Sequence, residues 1–411
     1  MQLPRIRIEE QRTGPRTRHV SDVLVVGAGP AGSIAALVLA RAGARVRLVD
    51  REAFPRAKLC GDTINPGALA ILDRLGVGAA VRAHARAVTG MLLPGPGGAA
   101  VAADYPHGLH GAAIERRALD LLLLEAAVAA GAEFTPGASA RAPVMDASCA
   151  RVVGARVRTS AGESDLRARL VIAAEGRHSR LGAALGLTRF AARPKRWAFG
   201  TYFSGIDGLT WRGEMHIRAN GYIGIAPLGD DVANVCVVRL RVASRKGPPH
   251  ECIDVPARMI ADAIDDDPML RARFARARRL SPVVSLGPLA VDAAAAGCPG
   301  LLLAGDAAGF IDPMTGDGLC FAIRGGELAA KAALRELATG RPAHVQLGAA
   351  LRREFSPKRR LNRALRSLVA SPRGVALAEA VASRWDAPFR LLVGVAGDVH
   401  LAGPAGGPAG V

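Results

Sequence analysis

Lysine is scarce in this chain. Of its 54 basic residues, only Lys58, Lys195, Lys246, Lys331 and Lys358 are lysines, and the rest are arginines. Aromatic residues make up 4%, too few for a base-stacking platform. The formal charge of +18, carried by scattered arginines, therefore excludes a nucleic-acid surface. It fits either an Arg-, Ala- and Gly-rich composition or a basic face toward anionic lipid or an acidic partner. Paired cysteine motifs are also missing. Cys60, Cys149, Cys236, Cys252, Cys298 and Cys320 show no CxxC spacing, which argues against zinc and dithiol sites. His107, His110, His178 and His216 are isolated, so no metal is expected. A signal peptide is not evident in the polar opening MQLPRIRIEEQRTGPRTRH, and reduced thiols in a cytoplasmic protein are the expectation. Nor is there an unbroken membrane span. Val23 to Ala40 is uncharged, but GAGPAG in its middle breaks it into strand, turn and helix.

What is present is enough for two packed domains: 411 residues, half of them apolar. Asp22 to Val26 reads as a buried strand, Gly27-Ala28-Gly29-Pro30-Ala31-Gly32 as a GxGxxG turn, and 31–42 as an Ala-rich helix. Arg45 to Val49 reads as a second strand, ending on Asp50 and Arg51. This βαβ arrangement suits a dinucleotide. The first glycine permits the tight turn, the second lets backbone approach a pyrophosphate, and the third lets helix and strand pack closely. Unpaired N–H groups at the helix start attract the anion, and Asp50 can accept from a ribose hydroxyl. A helix follows within 113–134, then strands at 150–159 and 165–173. Short alternating runs across 190–290 predict a second, antiparallel-sheet domain. Gly305-Asp306 then ends another buried strand, a Gly-rich turn opens a long helix, and the pattern is helical from 345 to about 400. The expected division is a loose arm 1–21, a discontinuous nucleotide domain 22–189 and 291–340, a substrate domain 190–290, a helical region 341–400 and a flexible tail 401–411.

GAGPAG with Asp50, the Glu175-Gly176 turn and Gly305-Asp306 stand in the order found in one superfamily. Over about residues 22–335 the chain resembles the FAD-binding group of aromatic-ring monooxygenases, flavin halogenases and geranylgeranyl reductases. The resemblance implies an α/β fold: a Rossmann-like FAD-binding domain, an inserted antiparallel-sheet substrate domain and a C-terminal helical region. It carries cofactor roles to Gly27, Ala28, Gly29, Pro30, Ala31, Gly32, Asp50, Arg51, Arg116, Gly305, Asp306, Pro313, Gly316, Asp317 and Gly318. The helix that begins near Asp317 would aim its positive end at the flavin. One departure is Glu175, where the family usually has Asp.

Lys58-Leu59-Cys60-Gly61-Asp62 matches the K-x-C-G-D segment of the geranylgeranyl reductase branch. That resemblance places Lys58, Cys60 and Gly61 toward the substrate, with Cys60 the candidate catalytic residue; a buried, inert thiol is the alternative. Tyr222 and Pro227 match the ends of that branch's aromatic-rich wall, but Gly224 and Ala226 replace its Trp and Phe. The halogenase W-x-W-x-I-P motif is absent at that place. Ile223, Ile225, Leu228 and Phe310 would give an apolar lining. The expected activity is FAD-dependent oxidation–reduction of a hydrophobic small molecule. Hydroxylation of a phenolic lipid or polyketide ring is placed first, saturation of prenyl or polyene double bonds second, and a non-enzymatic flavin-binding subunit third. No second GxGxxG follows a later strand, so NAD(P)H visits transiently or a partner reductase supplies electrons. Arg352, Arg353, Lys358, Arg359, Arg360, Arg363 and Arg366, interleaved with Leu361, Leu365 and Leu368, form a basic helical stretch suited to peripheral membrane contact.

Overall fold

A computed structural model of the chain describes residues 20–190, 196–218, 221–240, 255–310, 313–369, 371–385 and 387–402. Most of the expected arm and tail, and Cys252, lie outside the described residues.

The valine-rich strand Ser21–Val26 forms the centre of an eight-stranded sheet. It pairs in parallel with Val46–Val49 on one side (Val25 opposite Leu48) and with Gly162–Ala173 on the other (Val25 opposite Ile172). Leu301–Leu303 continues the parallel order beyond Gly162–Ala173. Strands covered on both faces read as continuous apolar runs rather than alternations, which is why DVLVV and LLL were recognisable. Helix Pro30–Arg41 packs against the returning helix Gly318–Thr339, burying its full length except its last turn.

The second sheet is also eight-stranded and largely antiparallel. Its centre is Arg196–Ser204, Val232–Leu240, Gly221–Pro227 and Arg212–Arg218. Two further strands come from outside the expected 190–290 segment. Gly90–Pro94 pairs in parallel with Arg212–Arg218, and Ala100–Asp104 extends the edge as a hairpin. These short, Gly- and Pro-bounded runs carry little periodic signal, and only long-range pairing assigns them to this sheet. Helices Val255–Asp265 and Pro268–Arg273, not anticipated in a region read as strands, cover one face. Ile260, Ile264 and Leu270 pack there on Ile223, Ile225, Val235 and Val237. Helices Ala343–Val369, Pro372–Ala382 and Ala387–Ala396 close over the opposite side. No helix among the described residues is long and apolar enough to cross a membrane.

Candidate active site

A continuous cleft starts at the GxGxxG turn. Gly27 has φ +101°, and a Cβ there would meet the Ala174 carbonyl oxygen at 2.4 Å; at Gly32 a Cβ would meet the Gly27 oxygen at 1.7 Å. Both positions therefore need glycine. The Ala28 N–H is donated to Asp50 Oδ2 at 2.7 Å and the Glu52 N–H to Oδ1 at 2.9 Å. Each oxygen keeps a free lone pair for a further donor. Gly29 caps the helix with no side-chain bond to the first-turn amides. A Cβ built on Gly29 would sit 3.4 Å from Arg56 Nη2 and 3.8 Å from Arg116 Nη2, so two guanidinium groups face this helix start. Arg56 Nε is buried with no partner among the described residues. Buried Asp120 holds both arginines, at 2.6 Å from Arg116 Nε and 3.3 Å from Arg56 Nη2. Burial alone pulls the Arg116 guanidinium down, yet Asp120 raises it above its ordinary value.

Further along, Lys58, Cys60, Gly61, Arg177, Asp306, Phe310, Gly316 and Gly318 line the cleft. Burial, then the Arg116 charge, lowers Lys58 to about 8. The Cys60 thiol is raised, first by burial and against the pull of Arg116; it is protonated at neutral pH. Behind Gly61, Asp62 is fully buried at φ +53°. Its carboxylate accepts from the Tyr202 hydroxyl and Asn234 Nδ2, each at 2.8 Å, and from the Arg116 N–H at 3.1 Å. Burial pushes it up to about 7, with Tyr202 and Asn234 pulling back.

At Gly61, Thr63 and Gly316 the cleft meets an apolar cavity of about 220 Å³. Its sheet wall carries Met215, Ile217, Tyr222, Gly224, Ala226 and Val238, and its roof carries Leu365, Leu368, Val375, Phe389 and Leu392. A side chain at Gly224 would meet nothing nearer than two carbonyl oxygens at 3.9 Å. Glu379 fastens the roof to the hairpin at 95–99, accepting from the Gly97 and Ala99 N–H groups at 2.8 and 3.1 Å.

Comparison with known proteins decides what the cleft holds. A family described as an FAD binding domain matches residues 20–344. The chain belongs to this family. Its relatives include the menaquinone reductase of Mycobacterium tuberculosis, 32% identical over 332 residues and 76% of each chain. Digeranylgeranylglycerophospholipid reductase 2 of Methanopyrus kandleri is 31% identical over 318 residues, again 76% of each. Among solved structures, flavin-dependent brominase Bmp2 superposes with a TM-score of 0.77 at 21% identity, covering 92% of this chain and 93% of the other. A geranylgeranyl bacteriochlorophyll reductase-like protein from Thermoplasma acidophilum has a TM-score of 0.72 at 23% identity, covering 91% and 98%. At those identities the structural likeness concerns the fold.

The chain is an FAD-dependent oxidoreductase, and the cleft suits FAD. Open helix-start amides, two arginines and an unpartnered Arg56 Nε fit a pyrophosphate, and the spare lone pairs of Asp50 fit a ribose. Gly27, Gly29, Pro30, Ala31, Asp50, Arg51, Arg116, Gly305, Asp306, Gly316 and Gly318 line the cleft. Ala28 and Gly32 support it from behind, through the Asp50 bond and the close turn. Pro313 lies in the short turn Pro313–Thr315 next to it. Asp317 departs from its expected role. Its side chain turns away from the cleft into an ion pair with Lys358 Nζ at 2.5 Å, leaving only the helix start that it precedes to face the flavin.

Lys58, Cys60, Gly61 and Tyr222 line the cleft or cavity as expected, but Pro227 lines neither. It ends its strand opposite Ala233. Strand alternation sends Ile223 into the helix-covered core, and Leu228 lies beyond the wall. Glu175 accepts from Ser179 Oγ at 2.7 Å and from the Leu181 N–H at 3.3 Å within its own loop. His216 is fully buried against Glu214 at 2.7 Å, in a group completed by Arg273, and does not reach the cavity. The basic stretch is also rearranged. Lys358 is buried, Arg359 donates inward to the Ala308 carbonyl, and Leu365 and Leu368 roof the cavity. Arg56 and Asp120 were missed; Asp120, four residues after Arg116 on one helix, was the available signal.

Proposed function

We propose that this flavoenzyme reduces carbon–carbon double bonds in the prenyl chain of a lipid. The observation that carries this reading is the apolar cavity that opens directly from the flavin cleft at Gly61, Thr63 and Gly316. The names of the relatives, a menaquinone reductase and a digeranylgeranylglycerophospholipid reductase, support the same substrate class.

When bound and reduced, FAD supplies a hydride to carbon. The protein's part is placement and the proton. The sheet wall and the helical roof align an apolar chain and exclude water. Reduction also needs a proton on the neighbouring carbon, and Cys60 Sγ, kept protonated by burial in the cleft wall, is our candidate donor. A raised thiol argues against a thiolate nucleophile. Ring hydroxylation is the second reading, because an apolar cavity beside the cleft also suits a hydrophobic ring.

Anaerobic dithionite reduction followed by incubation with a geranylgeranylated glycerolipid, which has no quinone ring for dithionite to reduce, tests the choice by mass spectrometry. Products gaining pairs of hydrogens are expected, with Cys60→Ala slowing their formation at least about tenfold. Products that form only in air and gain one oxygen atom would overturn the reductase reading.

A further inference from the structure

The last helices expose an apolar stripe that the fold leaves uncovered. On Pro372–Ala382 and the turn after it, Leu377, Val381 and Trp385 recur at helical spacing and are 65%, 38% and 63% exposed. On Ala387–Ala396, Leu391 and Val395 are 70% and 44% exposed. The other large exposed apolar side chains are dispersed along the chain, as at Val128, Trp211 and Val255. Scattered singly, such residues need no explanation; exposed apolar rows on two consecutive helices do.

The exposed charges among the described residues of these two helices are basic, although Arg390 lies within electrostatic reach of Asp104 and Asp386 follows Trp385 in the sequence. Arg373, Arg384 and Arg390 are exposed on these helices, whereas Glu379 is turned inward onto the 95–99 hairpin and Asp398 is buried. The inner faces of the same helices roof the apolar cavity through Val375, Phe389 and Leu392. One layer of helix thus separates the stripe from the cavity.

We propose that this helix pair is the docking surface for an anionic lipid bilayer, with Leu377, Trp385 and Leu391 entering the interface and the flanking arginines meeting lipid phosphates. An amphipathic surface of this kind binds by burying its apolar side while basic residues add attraction to acidic headgroups. The position over the cavity rests on the lipid-substrate reading; the docking itself does not require it. The site also differs from the basic stretch at 352–366, where Lys358 is buried and Leu365 lines the cavity.

The test is flotation of the FAD-loaded protein with vesicles that contain no prenyl lipid, so the outcome is independent of the reaction. Vesicles of phosphatidylcholine mixed with phosphatidylglycerol are expected to carry the protein at low salt, and phosphatidylcholine alone much less. Leu377→Glu with Leu391→Glu should weaken binding by about tenfold or more. Arg373→Gln with Arg384→Gln should do so to a similar degree, and added salt should mimic it. Val255→Glu, on an exposed residue of the helix that covers the other face of the sheet, should change nothing, and retained FAD in each variant shows that it has folded. No flotation at low salt, or an equal loss with Val255→Glu, would overturn the proposal. So would a dimer in sedimentation that Leu377→Glu with Leu391→Glu dissolves while vesicles fail to bind, since the stripe would then join two copies of this chain.

Discussion

Asp62 shows how much a single residue can hold without touching substrate. It lines neither cavity nor cleft, yet it ties the Lys58–Thr63 segment to two strands of the second sheet and to the first turn of the Arg116 helix. Its carboxyl group, with Tyr202, Asn234, Arg116 and Cys60 around it, is raised from 3.8 to about 7. A raised acid keeps in the folded state a proton that the unfolded chain releases. Stability from this group therefore falls as pH rises from about 4 to about 7 and is fully lost above. Asp62→Asn removes the titration, so melting temperature plotted against pH should flatten in that window relative to the parent. Parallel curves would show that Asp62 is ionised throughout. In the sequence, the K-x-C-G-D pattern marked Lys58, Cys60 and Gly61, but not the task of Asp62. Its partners lie on strands whose pairing no local pattern reveals. Asp317 went astray for the same reason, since the lysine that captures it is on another helix.

At the level of elements, legibility followed periodicity and burial. The βαβ unit could be read because Ser21–Val26, the glycine turn and Asp50 are local to one another. The cavity wall could be read only halfway. Gly221–Pro227 was recognisable as a strand, but which face meets the cavity depends on the sheet around it. Alternation places Tyr222, Gly224 and Ala226 toward the cavity and Ile223 toward the helices. Gly224→Trp uses this. Its Cβ has room, and the alternation aims the indole at the cavity. The variant should fold, retain FAD and accept electrons at the parental rate, while the preference for a short over a long prenyl substrate rises at least about tenfold as the cavity narrows. An unchanged preference would place the substrate elsewhere. The two-residue spacing from Tyr222 to Ala226 also explains why the missing aromatics matter together: both replaced positions open the same face.

Across the whole molecule, Lys358 joins segments that are distant in sequence. Its ammonium group pairs with Asp317 beside the flavin loop and with Asp398 after the last long helix, and it donates to the Ala396 carbonyl at 3.1 Å. Asn65 reaches the same Asp398 at 2.8 Å, bringing in the helix that follows the Cys60 segment. The flavin cleft, the cavity roof and the nucleotide domain therefore share one buried charge cluster. Burial raises Asp317 to about 6 even with Lys358 pulling it back. Lys358→Met would leave the two carboxylates facing each other without a cation. Breaking a buried pair in this way costs about 3–5 kcal/mol, and here the cost depends on pH. Without the lysine, Asp317 rises further and takes a proton more readily, so the added penalty is largest at pH 8 and shrinks as pH falls toward 5. Denaturant melts of the variant and the parent at both pH values measure this, and FAD retention should fail first at the higher pH, because Gly316 and Gly318 flank the freed Asp317. A penalty of the same size at both values would mean that the carboxylates are relieved by rearrangement or water rather than by protonation, and that the charge cluster does not hold the flavin loop against the roof.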